Sequence, residues 1–235
     1  NKNMSTKTLI ISLGGSLIVP DQVDVKFLAS FKREILNFVK AGNHVILICG
    51  GGSVCRKYQA AVKAVNPKVA NIDLDWLGIG ITKINALAVQ NMFGNLAEKK
   101  LLYNPTEKIR TIKKIIVGSG WKPGCSSDKD AVLAAKTHNC KTVINLSNIE
   151  YVHDKDPHKF KSAKPLPKLT WPEFRKIIGY KWRPGANVPF DPVAAGLAQK
   201  LGLRLIIMKG SDLGNFQRFL AGKKFKGTVV ESHNT

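Results

Sequence analysis

The chain reads as an α/β protein built on a largely parallel sheet, and three observations predict it. Short β-rich runs alternate with longer amphipathic stretches along its 235 residues, the pattern of strand–helix crossover units. Glycines follow three of the predicted strands directly, as Gly14-Gly15, Gly50-Gly51-Gly52 and Gly118-Ser119-Gly120. In an open parallel sheet the carboxyl ends of the strands share one edge, where loops leading into helix N-termini bind ligands.

The first predicted strand spans residues 8–13 and runs into LGGS. Two glycines and a hydroxyl leave backbone N–H groups uncrowded, which suits a phosphate; a plain tight turn is the other reading. Residues 25–40 form a helix, with Phe27, Leu28, Phe31, Ile35, Phe38 and Val39 at helical spacing. A strand at 45–49 enters three glycines, and a helix follows from about Val54 into the sixties. Arg56 lies on it, where a guanidinium reaches a phosphate held by glycine backbone, or else marks an ordinary surface. The next helix covers 78–93 and carries Thr82 and Asn85. Asp75 precedes it, as a helix cap or as a carboxylate accepting both hydroxyls of a ribose.

Residues 115–117 are the next strand, 130–137 a helix and 142–146 a strand. Toward the end come a helix at 193–200, a strand at 205–208, a helix at 213–220 and a strand at 228–230. The interval 157–172, with lysines between prolines, reads as a mobile loop over the site or a plain connection. The densest polar stretch is GSGWKPGCSSDKDAV, residues 118–132. Ser126, Ser127 and Asp128 stand just before an Ala-rich helix, where Ser or Asp makes an N-cap. The same residues place two hydroxyls and a carboxylate at the phosphate edge, and both readings are compatible.

With 37 Lys plus Arg against 16 Asp plus Glu, the net charge is +21. That surplus attracts polyanions and anionic substrates. No basic tail or aromatic-interleaved tract accompanies it, so nucleic-acid binding beyond nonspecific attraction is the second reading. No apolar run approaches the roughly 20 residues of a membrane span, and no secretory signal is visible. Cys49, Cys55, Cys125 and Cys140 have no CxxC spacing, which favours neither zinc nor disulfides and points to a reducing, cytoplasmic setting. The absence of GxxxxGK[ST], and of GxGxxG in its proper context, argues against a Walker-type enzyme and a Rossmann dehydrogenase.

The ordered set LGGS, ICGGGSVCRKY, LDWLGIGITKINA, PGCSSDKDAV, NLSNIEYVHDKDP, FDPVAAGLA and FKGTVV covers nearly the whole chain. It resembles the amino acid kinase family, and within it the archaeal-type UMP kinase branch. The resemblance implies a single domain over residues 1–235, folded as a three-layer α/β/α sandwich. It implies transfer of the γ-phosphoryl of ATP to UMP with Mg²⁺, in pyrimidine nucleotide biosynthesis, by a homohexamer assembled as a trimer of dimers. Carried over residue by residue, it gives Gly14, Gly15 and Ser16 to the ATP phosphates and Gly51 to UMP. Gly52 and Arg56 fall to the phosphate region between the nucleotides, and Asp75 to the UMP ribose. The loop of Trp121, Lys122, Pro123, Gly124, Cys125, Ser126 and Ser127 would read the uracil and acceptor phosphate, with Asp128 organising the transfer centre. Ser147 and Asn148 would lie beside ATP, and His153 and Asp156 would line the adenosine pocket. No dedicated metal ligands are implied, Mg²⁺ riding on the ATP oxygens.

The sequence departs from that pattern in places. Ser12 stands where many relatives carry a lysine, and Lys122 and Lys129 are the candidates to supply its charge. SSD replaces TTD, and Lys129 and Asp130 replace small apolar residues. Tyr151 stands where a glycine is common. On this reading the N–H groups from Gly14 to Ser16 and from Gly50 to Gly52 hold the two phosphates. Another phosphotransferase of the same fold, or a non-catalytic anion-binding or storage relative, are the alternatives.

Overall fold

Strand and helix alternate through the first part of the chain in the computed structural model, which describes residues 6–181 and 188–232. The elements are β1 (Thr8–Leu13), α1 (Gly15–Ile18), α2 (Val25–Lys40), β2 (His44–Cys49), α3 (Gly52–Val65), α4 (Asn71–Phe93), β3 (Ile115–Gly118), α5 (Ser127–Thr137) and β4 (Thr142–Ser147). Then come β5 (Val152–His153), β6 (Pro165–Leu166), β7 (Lys168–Thr170), α6 (Trp171–Ile178), α7 (Pro192–Lys200), β8 (Arg204–Lys209), α8 (Leu213–Leu220) and β9 (Thr228–Glu231).

Seven strands form one sheet in the order β3-β2-β1-β4-β8-β9-β7. The first five run parallel; β9 is antiparallel to β8, and β7 is parallel to β9. Apart from their first residues, β1 and β2 are buried throughout, polar Ser12 included, as strands covered on both faces must be. Successive side chains point to opposite faces, so the strands feed two separate cores. Ile11, Leu13, Leu47, Ile144 and Met208 pack with Phe31 of α2, Phe216 of α8 and Val89 of α4. Ile10, Ile46, Val143 and Ile207 pack with Val132 of α5, Phe174 of α6 and Ala195 of α7. The result is the expected three-layer α/β/α sandwich. Among the described residues no helix is long and apolar enough to cross a membrane, and all four cysteines are free.

Several boundaries move. α3 begins at Gly52, α4 at Asn71 rather than residue 78, and α5 at Ser127 rather than 130. The early turns of α4 escape a periodicity reading because Ile72 and Trp76 face solvent. Asp75 therefore sits inside α4, and Ala70 occupies its N-cap position. The interval 157–172 is not a plain loop: it holds β6 and β7 and opens α6. The cause is local, since the Thr170 side chain accepts from Glu173 N–H while Glu173 accepts from Thr170 N–H, a capping box. Trp171, Phe174 and Ile178 then bury one face of α6.

Candidate active site

The glycine loops after β1 and β2 meet backbone to backbone. A Cβ on Gly15 would lie 2.4 Å from both Gly50 O and Gly52 N, and one on Gly52 would lie 2.4 Å from Gly15 C and Ser16 N. Gly52 also has φ of +65°, a conformation that side chains disfavour. Gly14 N–H donates to Leu146 O at 3.0 Å and Gly50 N–H to Leu13 O at 2.9 Å. These two bonds tie the loops to neighbouring strand ends, and they correct the expectation that Gly14 and Gly50 offer N–H groups to phosphates. The first N–H groups of α3 have no acceptor within the helix; that of Ser53 goes to Ser16 Oγ at 3.2 Å. Arg56 is exposed on α3 beyond this junction.

α4 braces the loops from behind. Asn85 Nδ2 donates to Gly50 O at 2.8 Å, and Thr82 Oγ1 accepts from Gly120 N at 2.8 Å. Two turns nearer the start, Asp75 Oδ2 accepts from Gly124 N–H at 3.0 Å. Asp75 thus holds the loop 121–127 against the cleft instead of capping a helix. Within that loop Lys122 Nζ lies 4.0 Å from the centre of the Trp121 ring, Cys125 N–H donates to Lys122 O at 3.1 Å, and Gly124 adopts φ of +75°. Pro123 stands between them on the loop.

The cap question resolves in favour of Ser126, whose Oγ accepts from Lys129 N–H at 3.2 Å as the N-cap of α5. Ser127 is the first helical residue and Asp128 the second. Asp128 gathers the ends of three other elements. Its Oδ1 accepts from Ser12 Oγ at 3.1 Å and from Asn145 Nδ2 at 3.2 Å, and its Oδ2 accepts from Asp191 N–H at 3.1 Å. Asp191 in turn accepts a short hydrogen bond from Ser126 Oγ and caps α7 through Val193 N–H at 2.7 Å. Burial of the Asp128 carboxyl, reinforced by the nearby charge of Asp191, pushes its pKa up to about 6, against the lowering effect of the Asp191 N–H and Ser12. Neither proposed substitute lysine is among the hydrogen-bond partners of Asp128. Lys122 covers Trp121, while Lys129 lines a separate cavity with Arg175 and Tyr180.

Two acidic residues emerge that sequence reasoning missed as site components. Asp191 lay in the FDP motif, where the Pro192 that follows it is the helix-start signal that also marks it as a cap. Asp130 is fully buried; its Oδ2 accepts from Trp121 N–H at 3.1 Å, and its Oδ1 is unpartnered. Burial pushes its pKa up to about 7.

Across the β4 edge, Ser147 Oγ accepts from Ile149 N–H at 3.3 Å, and Ser147 O accepts from Gly210 N–H at 2.8 Å. Asn148, Tyr151, His153 and Asp156 line one cavity of about 590 Å³, together with Lys155 and Lys176. His153 Nδ1 lies 3.1 Å from Tyr151 O, and Asp156 Oδ1 accepts from His158 N–H at 2.9 Å. The sheet edge therefore presents a paired glycine junction, a loop anchored by Asp75, a carboxylate centre at Asp128 and a side cavity.

The amino acid kinase family profile matches residues 7–209. Uridylate kinase from Thermococcus onnurineus is 29% identical over 226 residues, spanning 95% of this chain and 99% of the relative. That from Thermoplasma acidophilum is 28% identical over 232 residues, spanning 96% and 97%. Among solved structures, uridylate kinase from Archaeoglobus fulgidus superposes with a TM-score of 0.81 at 24% identity, over 94% of this chain and 99% of that one. UMP kinase from Bacillus anthracis gives 0.76 at 21% identity, over 97% of each. With the profile spanning most of its length and the sheet order and two-sided helical cover in place, the chain belongs to the amino acid kinase family.

Proposed function

We propose that this chain is a uridylate kinase, acting as one unit to transfer the γ-phosphoryl of ATP to UMP. The observation that carries the reading is the junction of Gly15 with Gly52, formed just past the end of β1, the strand whose Ser12 holds Asp128; the loop held by Asp75 supplies the acceptor side. Phosphoryl transfer demands little covalent chemistry from the protein, so catalysis consists of holding donor and acceptor phosphates in line and balancing charge. Without side chains at Gly15 and Gly52 the two loops close directly on each other, which brings phosphates held by one loop within reach of those held by the other, and Arg56 supplies a guanidinium from α3. Asp75 serves the acceptor side twice, through its bond to Gly124 N–H and as partner to ribose hydroxyls. Ser127 presents its hydroxyl to the acceptor phosphate, Ser126 holds the start of α5 through its bonds to Lys129 N–H and Asp191, and Asn148, His153 and Asp156 hold the adenosine.

Among the described residues no cluster of three or more His, Cys, Asp or Glu is placed to hold a metal. That composition fits Mg²⁺ carried on phosphate oxygens, since Mg²⁺ needs only one or two carboxylates beside substrate oxygens. When bound it would neutralise charge on those oxygens, and Asp128, ionised above about pH 6, is the carboxylate that would help hold it.

Incubation with ATP, Mg²⁺ and UMP, CMP, AMP or acyl acceptors tests the proposal. UDP is the expected main product; equal turnover of all monophosphates, or turnover of an acyl acceptor alone, sinks it. Self-association, as a hexamer of three dimers, is supported by the exposed apolar residues Val65 of α3 and Ile72, Trp76, Ile84 and Leu87 of α4. A monomer mass by light scattering contradicts it. Free cysteines and nucleotide substrates favour a cytoplasmic setting. The +21 charge serves attraction of anionic nucleotides, and binding to nucleic acid is expected to fall steeply with salt.

A further inference from the structure

A second cavity opens at the opposite edge of the sheet, at the amino ends of the strands. Its volume is about 360 Å³, within the range of small-molecule sites. Leu9, Phe38, Phe219 and Phe225 form its walls, and Lys7, Arg204 and Lys223 stand among its lining residues. β1 is six residues long, so this edge lies roughly 17 Å from the glycine junction. The two sites share no residue.

The walls and the rim carry different chemistry. Phe219 and Phe225 meet edge to face, with ring centres 5.0 Å apart and planes at 84°, which makes a rigid aromatic corner. The three cations come from separate segments: the approach to β1, the first residue of β8, and the turn between α8 and β9. Arg204 Nε lies 3.3 Å from Glu231 Oε2, an ion pair that fixes the guanidinium in place. The lining holds no carboxylate, whereas the cleft cavity includes Glu150, Asp154 and Asp156. A flat apolar body suits the aromatic corner, and an anionic group suits the cations.

We propose that this cavity is a ligand site for a small aromatic anion, distinct from the nucleotide cleft. The chemistry is shared by nucleotides and by aromatic carboxylates or sulfonates. Nothing in the inference depends on the kinase reading.

The test uses the full-length protein, ¹⁵N-labelled, titrated with naphthalene-2-sulfonate while amide shifts are followed. Expected are saturable shifts at Leu9, Thr142, Arg204 and Lys223, with much weaker effects from sodium sulfate or 2-naphthol alone. Lys7→Glu with Lys223→Glu alters only exposed side chains and is expected to weaken binding roughly tenfold, in line with two reversed surface charges. Phe219→Leu, which removes one face of the corner, gives an independent loss. Shifts confined to the cleft, affinity unchanged by charge reversal, or sulfate binding as well as the naphthalene compound each overturn the proposal. Repeating the titration with UTP separates the sources. Shifts at the same amides identify a nucleotide, and their absence beside a positive naphthalene-2-sulfonate result identifies a non-nucleotide aromatic anion.

Discussion

Ser12 Oγ donates to Asp128 Oδ1 across 3.1 Å, joining the end of β1 to the first turn of α5. The hydroxyl supplies a donor to the carboxylate but brings no positive charge. Asp128 therefore has no cation among its partners, and burial, reinforced by the nearby charge of Asp191, pushes its pKa up to about 6.

Asp128→Asn separates catalysis from capping, because Ser126 holds the cap. Loss of the carboxylate is expected to lower kcat on the order of 100-fold, about 2.7 kcal/mol of barrier. The amide turns a donor toward either Asp191 N–H or the Ser12–Asn145 pair, at a cost of about 1–2 kcal/mol in stability. Ser126→Ala is expected to cost about 1–2 kcal/mol, through the lost cap and the lost donor to Asp191. Steady-state turnover measured well below the melting transition, beside thermal unfolding of both variants, checks the division. Unchanged turnover in Asp128→Asn refutes a catalytic role.

Stability and activity are expected to run in opposite directions with pH. Asp128 and Asp130 have folded pKa values of about 6 and about 7, above the roughly 3.9 of an unfolded Asp. The folded state thus binds more protons in that window, so their stabilising contribution is full below about pH 4 and is lost as pH rises through 6 and 7. Turnover, needing ionised Asp128, rises over the same range. Asp130→Asn removes one of the two buried titrations and is expected to reduce the fall of the melting temperature between about pH 4 and 7, leaving the part due to Asp128. A variant that retains the full slope shows that Asp130 does not cause it.

Gly15→Ala drives a methyl group into the backbone of Gly50 and Gly52, where no side chain can move aside. A loss of about 3 kcal/mol is expected, at the upper end of overpacking costs. Gly80→Ala is the control: a Cβ there meets nothing within 4 Å on a helix, and a gain of roughly 0.5–1 kcal/mol follows from helix propensity. Urea unfolding of the two variants reads the contrast directly.

At Asp75 two substitutions distinguish loop anchoring from ribose binding. Asn keeps an oxygen to accept from Gly124 N–H; Ala does not. Asp75→Ala is expected to raise KM for UMP about tenfold or more, with KM for ATP little changed, as loss of a charge-assisted hydrogen bond implies. If Asn restores the wild-type value, the residue serves the loop alone; if Asn is also impaired, the carboxylate meets the ribose.

The elements that were legible in the sequence are those whose burial follows a simple period. α2 and α8 have the predicted bounds because one apolar stripe faces the sheet in each. α6 was hidden by prolines and lysines, although Thr170 and Glu173 carried its start signal. The first turns of α4 were hidden because their apolar residues point to solvent. The residue set at the sheet edge was readable as a family pattern, but its internal bonds were not. Asp128 with Ser12 and Asp75 with Gly124 are separated by 116 and 49 positions, and only the packed sheet brings them together. Asp130 stood out only as a departure from small apolar residues, since nothing local reports that its carboxylate is buried against the backbone N–H of Trp121.

The contact of Gly15 with Gly52 works as a spacer gauge. The gap between the two loops equals the thickness of bare peptide, with no rotamer or compressible side chain in between. A dimension set in this way is indifferent to side-chain drift around it, and a push on one loop is felt by the other without slack.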